Sequence, residues 1–280
     1  MTELGANRYG KQSVRLVRIV RGETHRVRDC TVDIALEGGF DAAFTEGDNA
    51  LVVATDTMKN TVYAFAAEHL DGAIEPFAAA LARHHVQAEA VETATVSIRE
   101  HVWEPLSTGA GPAPDAFRRA GGMTRTTVAV ADASGVVIDS GVEDLVVMKT
   151  TRSAFSSFPR DAWTTLPEVR DRILATRMTA TWRHASDAAD WDVRHATLVG
   201  ALLASFADHV SESVQQTIWI VANAMLEAEP GIASVSMKLP NLHHWVVDMT
   251  PFGQPSGDIF VATEQPYGLI EATVRRSAGA

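Results

Sequence analysis

The chain has 280 residues, of which 46% are hydrophobic, so it can bury a core in one large domain or in two smaller ones. Its 24 lysine and arginine residues face 35 aspartate and glutamate residues, a net charge of −11. That balance excludes a broad basic face for nucleic acid or for an acidic membrane surface. The single Cys30 cannot form an internal disulfide, which favours a cytoplasmic location, and the apolar run 196–207 is too short to span a bilayer.

The first part of the chain predicts a β-hairpin followed by a strand and a helix. Apolar residues alternate across residues 14–20 and 26–37, and Cys30 belongs to the buried face of the second strand. Residues 51–54 are a short β-branched run that predicts a buried strand, and helical periodicity begins at Met58. The polar residues 55–57 between them are of types that cap helices. An ordinary helix cap explains this stretch alone, but a helix N-terminus can also bind a small anion.

The chain continues with a second helix, a strand and a hairpin. Helical spacing begins at Ile74, with Pro76 in the first turn, and residues 94–98 alternate as a strand. Residues 105–122 are rich in Gly, Pro and Ala, which predicts a surface loop, and residues 125–139 read as a hairpin with a turn at 132–135.

The second half repeats this order of elements without a visible sequence repeat. A strand at 176–184 precedes two helices, whose apolar faces run through residues 199–206 and 214–225. Four short strands follow, at 233–239, 243–249, 259–263 and 269–275. The predicted fold class is therefore α+β, with two similar halves, each an antiparallel sheet carrying a pair of helices on one face. Open sheet edges predict oligomerisation by edge pairing.

Short polar motifs lie at the ends of these predicted elements. There is no glycine-rich phosphate loop, no CxxC pair and no HExxH spacing. In order along the chain the motifs are Arg8-Tyr9-Gly10-Lys11, Ala54-Thr55-Asp56, Phe155, Phe158-Pro159-Arg160-Asp161, Thr164-Thr165-Leu166, Asp171-Arg172-Ile173-Leu174, Ser213-Val214-Gln215 and Leu239-Pro240-Asn241-Leu242-His243. Together they resemble the urate oxidase (uricase) family, and the resemblance runs from Arg8 to Arg276.

The resemblance implies the tunnelling fold, or T-fold, with tandem domains at residues 1–142 and 143–280. It implies a homotetramer whose chains close their sheets into barrels. It also implies oxidation of urate by O2 and water to 5-hydroxyisourate and hydrogen peroxide, with no cofactor and no metal. In this family a lysine and a threonine reach each site from the neighbouring chain, so the sites lie at chain interfaces.

Residue by residue, the resemblance assigns three catalytic and seven substrate-binding positions. Lys11 and Thr55 match the proton-relay pair, and His243 matches the histidine that completes the relay. Arg172 and Gln215 match the pair that binds the pyrimidine edge of the purine. The remaining matches are Phe155 as the ring stacked on the substrate, Asn241 as the amide that holds O2 or water, and Asp56, Leu166 and Val214 as the lining.

The chemistry of these residue types fits a planar anion such as urate. Arginine offers a planar fork of donors, which the carboxamide of a glutamine can complement. An aromatic face adds stacking worth about 1 kcal/mol. Urate must lose a second proton before it reacts with O2, and the hypothesis is that Lys11 removes it through the Thr55 hydroxyl.

Two alternatives stay open at this point. One is a zinc-dependent pterin or purine enzyme of the same fold, and the other is a purine-binding tetramer that lacks catalysis. Each residue taken alone has a plain structural interpretation: Lys11 as a solvated residue, Phe155 as core and Asn241 as a turn residue. The three relay residues together favour the catalytic interpretation, since a binding protein needs no base.

Overall fold

The computed structural model describes residues 2–187 and 190–277. The described chain forms two compact units, and the chain passes from one to the other between Gly141 and Val142. A short segment ending at Asp192 returns to the first unit, and the second unit resumes at Val193. Within the described residues, no helix is both long and apolar enough to cross a membrane.

The first unit is an antiparallel sheet with two main helices. Its elements, in chain order, are β1 (Tyr9–Val20), β2 (Arg26–Gly38), α1 (Asp41–Thr45), α2 (Thr55–His69), α3 (Ile74–His85), β3 (Val91–Glu100), β4 (Trp103–Thr108), β5 (Gly111–Arg119), β6 (Thr124–Asp132) and the first part of β7 (Gly135–Lys149). The sheet order is β1-β2-β3-β6-β7, and β4 and β5 form a separate two-stranded sheet.

One face of this sheet is apolar because the side chains alternate along each strand. Cys30, Val32, Ile34 and Leu36 of β2 are all fully buried, as the alternation predicts. Helices α2 and α3 pack on this face and contribute a matching stripe of buried residues, among them Met58, Val62, Ile74, Phe77 and Leu81. The predicted hairpin, helix faces and third strand of this half are confirmed.

Two predictions for the first half are wrong. Residues 51–54 are not a strand but an irregular segment, in which Leu51 is 49% exposed. Helix α2 begins directly at Thr55, its N-cap is Ala54, and no side chain caps it. Residues 105–122 are not a simple loop either, because β4 and β5 pair from Trp103↔Arg119 to Thr108↔Gly111.

Buried charges tie helix α3 to the sheet of the first unit. Glu75 of α3 is 1% exposed and accepts hydrogen bonds from Arg125 of β6 at 2.8 Å and from Ser140 of β7 at 2.8 Å. Arg125 also pairs with Asp192, and Arg28 of β2 joins Asp192 to Glu100 at 2.6 Å each. Burial raises the pKa of Glu75, which its contacts with Arg125 and Ser140 oppose.

The second unit has the same kinds of elements in a similar order. After the second part of β7 come β8 (Leu174–His184), α4 (Trp191–Asp208), α5 (Val214–Ala228), β9 (Ile232–Pro240), β10 (His243–Val246), a 3₁₀ turn (Thr250–Phe252), β11 (Phe260–Thr263) and β12 (Leu269–Arg275). The sheet order is β7-β8-β9-β12, while β10 and β11 form a separate hairpin.

Helices α4 and α5 cover the apolar face of strands β7, β8, β9 and β12. Leu202 and Phe206 of α4 and Ile218, Val221 and Met225 of α5 are buried against the strands. Leu203, which the sequence places on the same face of α4, is instead 39% exposed. Lys149, at the end of β7, donates through its ammonium to the carbonyls of Phe206, at 2.9 Å, and His209. This contact satisfies the last carbonyls of α4 and fixes the start of the segment that follows β7.

Candidate active site

The second unit contains a cavity of about 720 Å³. Its walls come from the segment between β7 and β8, the N-terminus of α5, the turn after β9, the β10-β11 hairpin and β12. Seven of the ten predicted site residues line it: Phe155, Leu166, Arg172, Val214, Gln215, Asn241 and His243. These seven residues are up to 88 positions apart in the chain, from Phe155 to His243, and the fold brings them together.

Arg172 supplies the positive charge of the cavity. Its backbone N–H donates to the carbonyl of Ser153 at 2.8 Å, so its position is fixed by the main chain. Burial lowers the pKa of its guanidinium. Among the residues that the structure describes, its buried Nε has no hydrogen-bond partner. A buried guanidinium donor of this kind is costly unless a ligand accepts from it, so this atom indicates an anion site.

Asp171 holds the two segments that carry Arg172 and Phe155. Its carboxylate accepts hydrogen bonds from the Thr151 hydroxyl, at 2.7 and 2.9 Å, and from the backbone N–H of Arg152 at 2.7 Å. The Thr151 hydroxyl is the main reason that the pKa of Asp171 lies below its usual range. Neighbouring backbone groups pair as well, since Phe155 and Val169 exchange hydrogen bonds at 2.8 and 3.0 Å.

Phe155 contributes one aromatic side chain to the wall of the cavity. Its ring stacks on Phe158 with centroids 4.9 Å apart and an interplanar angle of 14°. The loop between Phe155 and Val169 carries Leu166 on to the cavity lining, and Arg160 donates to the Leu166 carbonyl at 3.2 Å. A rigid aromatic face beside a cation suits a flat, anionic ring.

Helix α5 begins at the cavity. Ser213 is its N-cap, and the Ser213 hydroxyl accepts from the backbone N–H of Gln216 at 3.1 Å. Val214 and Gln215 are the first two helical residues, so their N–H groups have no partner within the helix. The positive end of the helix dipole and the Gln215 side chain thus join Arg172 at the same cavity.

The turn after β9 contributes Asn241, and the first residue of β10 contributes His243. The backbone N–H of Asn241 donates to Gly268 at 2.9 Å, and its amide nitrogen lies 3.5 Å from Nδ1 of His243. The His243 ring stacks on Trp245, with centroids 5.2 Å apart. Burial, and then the charges of Arg172 and His244, lower the pKa of His243, which favours its neutral form at neutral pH.

The other three predicted residues lie in the first unit. Lys11 is on β1 opposite Ile34, and Thr55 and Asp56 are the first two residues of α2. Lys59 and Asn60, one turn further along α2, donate to the Asp56 carboxylate. The Lys59 contacts are the main reason that the pKa of Asp56 lies below its usual range, and Lys11 adds a smaller contribution. The charge of Lys11 therefore acts on the start of α2.

Several lining residues were not predicted. His244, Trp245 and Phe260 belong to the β10-β11 hairpin and line the cavity together with Ile173 and Ile270. Their sequence pattern is that of ordinary strand residues, so it does not identify them as site residues. Their place in the cavity wall is known only from the folded hairpin. Within the described residues, no group of three or more His, Cys, Asp or Glu side chains is arranged to hold a metal ion.

Comparison with known proteins agrees with this architecture. The uricase family model matches residues 7–130 and 138–271. The uricase of Arthrobacter globiformis is 42% identical over 98% of this chain and 90% of its own length, and that of Dictyostelium discoideum is 35% identical over 99% of each. The crystal structure of the Arthrobacter globiformis uricase superposes with a TM-score of 0.94 at 41% identity, covering 100% of this chain and 97% of that one. The urate oxidase of Bacillus sp. TB-90, at 22% identity and a TM-score of 0.83, shares the fold.

Fold and repeat together define an α+β protein of tandem T-fold domains, each an antiparallel sheet with a pair of helices on one face. Within that class the family model covers most of the chain and the curated relatives align along nearly all of it. The chain belongs to the uricase family.

Proposed function

We propose that this protein is a urate oxidase, which converts urate, O2 and water to 5-hydroxyisourate and hydrogen peroxide without a cofactor. The observation that carries the proposal is the buried Nε of Arg172, which has no hydrogen-bond partner among the described residues and belongs to a guanidinium beside the Phe155 ring. Urate is a planar anion at neutral pH, so it can accept from a guanidinium while its ring contacts an aromatic face. Family membership supports the same substrate.

The binding residues divide into an edge set and a face set. Arg172 and Gln215 bind the pyrimidine edge, and the backbone N–H of Val214 adds a donor at the helix start. Phe155 contacts one face of the ring, and Asn241 holds O2 or water over it. Leu166 completes the lining in this chain, and Asp56 does so from the neighbouring chain.

The catalytic residues act on the protons of urate. Lys11 takes the second proton through the hydroxyl of Thr55, and His243 completes the relay. The neutral form of His243, which its surroundings favour, lets its ring accept a proton or a hydrogen bond. Urate that has lost two protons is electron-rich and can pass electrons to O2, so the protein needs to supply orientation and proton transfer only.

The functional form in this proposal is a homotetramer with sites at chain interfaces. Open sheet edges support association, because the edge strands β1 and β12 each have a single neighbouring strand in the described residues. Apolar side chains also lie exposed on β1, where Val17 is 55% and Ile19 43% exposed. We further propose that residues 1–142 and 143–280 are the two T-fold domains, which the division between Gly141 and Val142 supports. The single Cys30 supports the cytoplasm as its location.

The first test measures urate consumption by protein that has been dialysed against EDTA. The loss of urate absorbance in air-saturated buffer is recorded while hydrogen peroxide is measured in parallel. The proposal expects one peroxide per urate with no added metal or cofactor. A Lys11→Met variant should lose most of its turnover at neutral pH, and near wild-type turnover in that variant would show the relay assignment to be wrong.

A second test asks whether each site takes residues from two chains. Lys11→Met and Arg172→Ala are each expected to be inactive alone. If the two variants are co-expressed at equal levels and every site combines Lys11 of one chain with Arg172 of another, about a quarter of the sites in mixed tetramers regain both residues. Recovery of activity on mixing supports interface sites, and no recovery in verified mixed tetramers contradicts them.

The same experiments distinguish the alternatives. Urate that binds without being consumed would support a purine-binding tetramer. If urate neither binds nor reacts, and turnover of a pterin appears when zinc is added, the protein is a zinc-dependent enzyme of the same fold.

A further inference from the structure

The hydroxyl of Tyr9 connects two segments of the first unit that are far apart in sequence. Its oxygen accepts a hydrogen bond from the backbone N–H of Val53 at 2.8 Å, although the two residues are 44 positions apart. Tyr9 is the first residue of β1 and lies two residues before Lys11. Val53 lies two residues before Thr55, the first residue of α2. This hydrogen bond therefore joins the segment that carries the proposed base, Lys11, to the segment that carries the proposed relay hydroxyl, Thr55.

Both partners of this hydrogen bond are held in place. The Tyr9 ring packs edge-on against Phe40, with centroids 4.8 Å apart and an interplanar angle of 88°, and Phe40 is 1% exposed. Burial raises the pKa of Tyr9, so the phenol is neutral and its oxygen accepts from Val53. On the other side, the backbone N–H of Met58 donates to Ala54 at 3.1 Å, and the Met58 side chain is fully buried. The segment 53–55 is thus a short link between two fixed points.

The backbone around Lys11 is equally constrained. A Cβ atom at Gly10 would lie 1.9 Å from the carbonyl oxygen of Ile34, so only glycine allows β1 to approach β2 this closely. The register of β1 shifts between Lys11 and Val14, and Ser13 adopts a φ of 59° within that bulge. The N–H of Ser13 donates to the Asp33 carboxylate at 2.6 Å. Bulges commonly redirect a side chain at a functional site, which fits an assigned role for Lys11.

We propose that Tyr9 is a positioning residue that fixes the separation of Lys11 from Thr55 through the backbone of Val53. This inference rests on the proposed function, because it concerns the proton relay. Tyr9 does not touch the substrate; its hydroxyl holds the entry to α2 against the start of β1. Without that hydrogen bond, the segment 49–54 is held by fewer contacts. The Thr55 hydroxyl then spends less time in the position from which it can pass a proton to Lys11.

The test compares Tyr9→Phe with Tyr63→Phe. The first removes only the hydroxyl and keeps the ring on Phe40, while Tyr63 is a 47% exposed residue of α2 and serves as the matched control. Tyr9→Phe is expected to lower kcat about ten- to a hundredfold at neutral pH, with the KM for urate changed less than about twofold. The loss should shrink at higher pH, where solvent hydroxide can replace the displaced relay. Tyr63→Phe should match the wild type.

A double variant separates the relay role from a general structural role. In a Lys11→Met background, Tyr9→Phe should cause almost no further loss, because the group that it positions is already gone. Amide hydrogen exchange should be faster at Val53 in Tyr9→Phe and unchanged in Tyr63→Phe. Unchanged kcat in Tyr9→Phe, or a loss that is fully additive with Lys11→Met, overturns the role of Tyr9 while leaving the proposed function standing. A wild-type protein that does not consume urate overturns the proposed function and the positioning role together.

Discussion

The guanidinium carbon of Arg172 lies 5.5 Å from the centre of the Phe155 ring. The two side chains are held by adjacent backbone contacts, since Arg172 donates to Ser153 and Phe155 pairs with Val169. The cation and the aromatic face of the candidate site are therefore fixed relative to each other by the main chain. Because both groups are already positioned, the protein loses less entropy when it binds a flat anion.

Arg172→Lys should weaken urate binding because lysine keeps the charge but loses the planar fork of donors. We expect the KM for urate to rise about ten- to a hundredfold, since hydrogen bonds to charged groups contribute about 1.5–3 kcal/mol. Steady-state kinetics at saturating O2 measure the change. Arg170→Lys, at the exposed neighbour two positions earlier, is the matched control and should leave KM unaltered. Equal KM values for wild type and Arg172→Lys would contradict the assignment of Arg172 to the substrate edge.

Asp171→Asn should disturb the same site without touching the substrate edge directly. An amide has only one accepting oxygen, so Asp171→Asn loses the negative charge and the 2.7 Å hydrogen bond that the Thr151 hydroxyl donates to the second carboxylate oxygen. We expect kcat/KM to fall about tenfold, mainly through KM, and Thr151→Val to show a smaller change in the same direction. Asp132→Asn is the control, because Asp132 makes the same type of contact with Ser134 in a turn of the first unit. An Asp171→Asn enzyme with wild-type KM would show that these contacts do not position Arg172.

The pH dependence of kcat/KM should show the protonation of His243. Its pKa lies below the usual value of about 6.5 for a free histidine, so the neutral form persists to lower pH than it would in solution. If the relay needs neutral His243, kcat/KM falls only as the pH drops through that lowered pKa. We expect the acid limb in wild type to lie below pH about 6.5 and to be absent in His243→Gln. Because the charge of His244 contributes to the shift, His244→Gln should move the limb towards higher pH. A wild-type limb above pH about 6.5 would be inconsistent with this environment.

Arg125→Met should destabilise the first unit strongly. It leaves the buried Glu75 carboxylate without its ion-pair partner, and breaking such a pair costs about 3–5 kcal/mol. The free energy of unfolding can be measured by urea titration at one fixed protein concentration. Arg118→Met is the control, because its pair with Glu104 has side chains that are 64% and 48% exposed and should contribute less than about 1 kcal/mol. The double variant Glu75→Leu/Arg125→Met should regain part of the lost free energy of unfolding. Equal stability of Arg125→Met and Arg118→Met would show that the buried ion pair does not stabilise the first unit.

The periodic elements of the fold were predictable from sequence because a buried face imposes its spacing on the residues. Cys30 to Leu36 shows period two and α5 shows the helical period, and both are confirmed. Short or irregular stretches carry too little pattern. Residues 51–54 have strand-like residue types but pair with no strand in the described part of the chain. The Gly and Pro content of 105–122 concealed the β4-β5 pairing.

Candidate site residues could be named from motifs, but their surroundings could not. Phe155, Arg172 and His243 are recognised by their neighbours in sequence, and the structure places them on one cavity. The hydrogen bond from Val53 to Tyr9 joins residues that are 44 positions apart, so no local sequence pattern predicts it. The same holds for Trp245, which looks like any strand residue until the hairpin closes over the cavity.

The single thiol of the chain, Cys30, is shielded from oxidants in solvent. Cys30 is fully buried in β2, and burial raises the pKa of its thiol, so the reactive thiolate is scarcely populated. An enzyme that makes hydrogen peroxide exposes itself to its own product at every turnover, and peroxide attacks thiolates first. The placement of Cys30 therefore removes one route of self-inactivation. It also means that a cysteine introduced at an exposed position would be the only one to react with a labelling reagent in the folded protein.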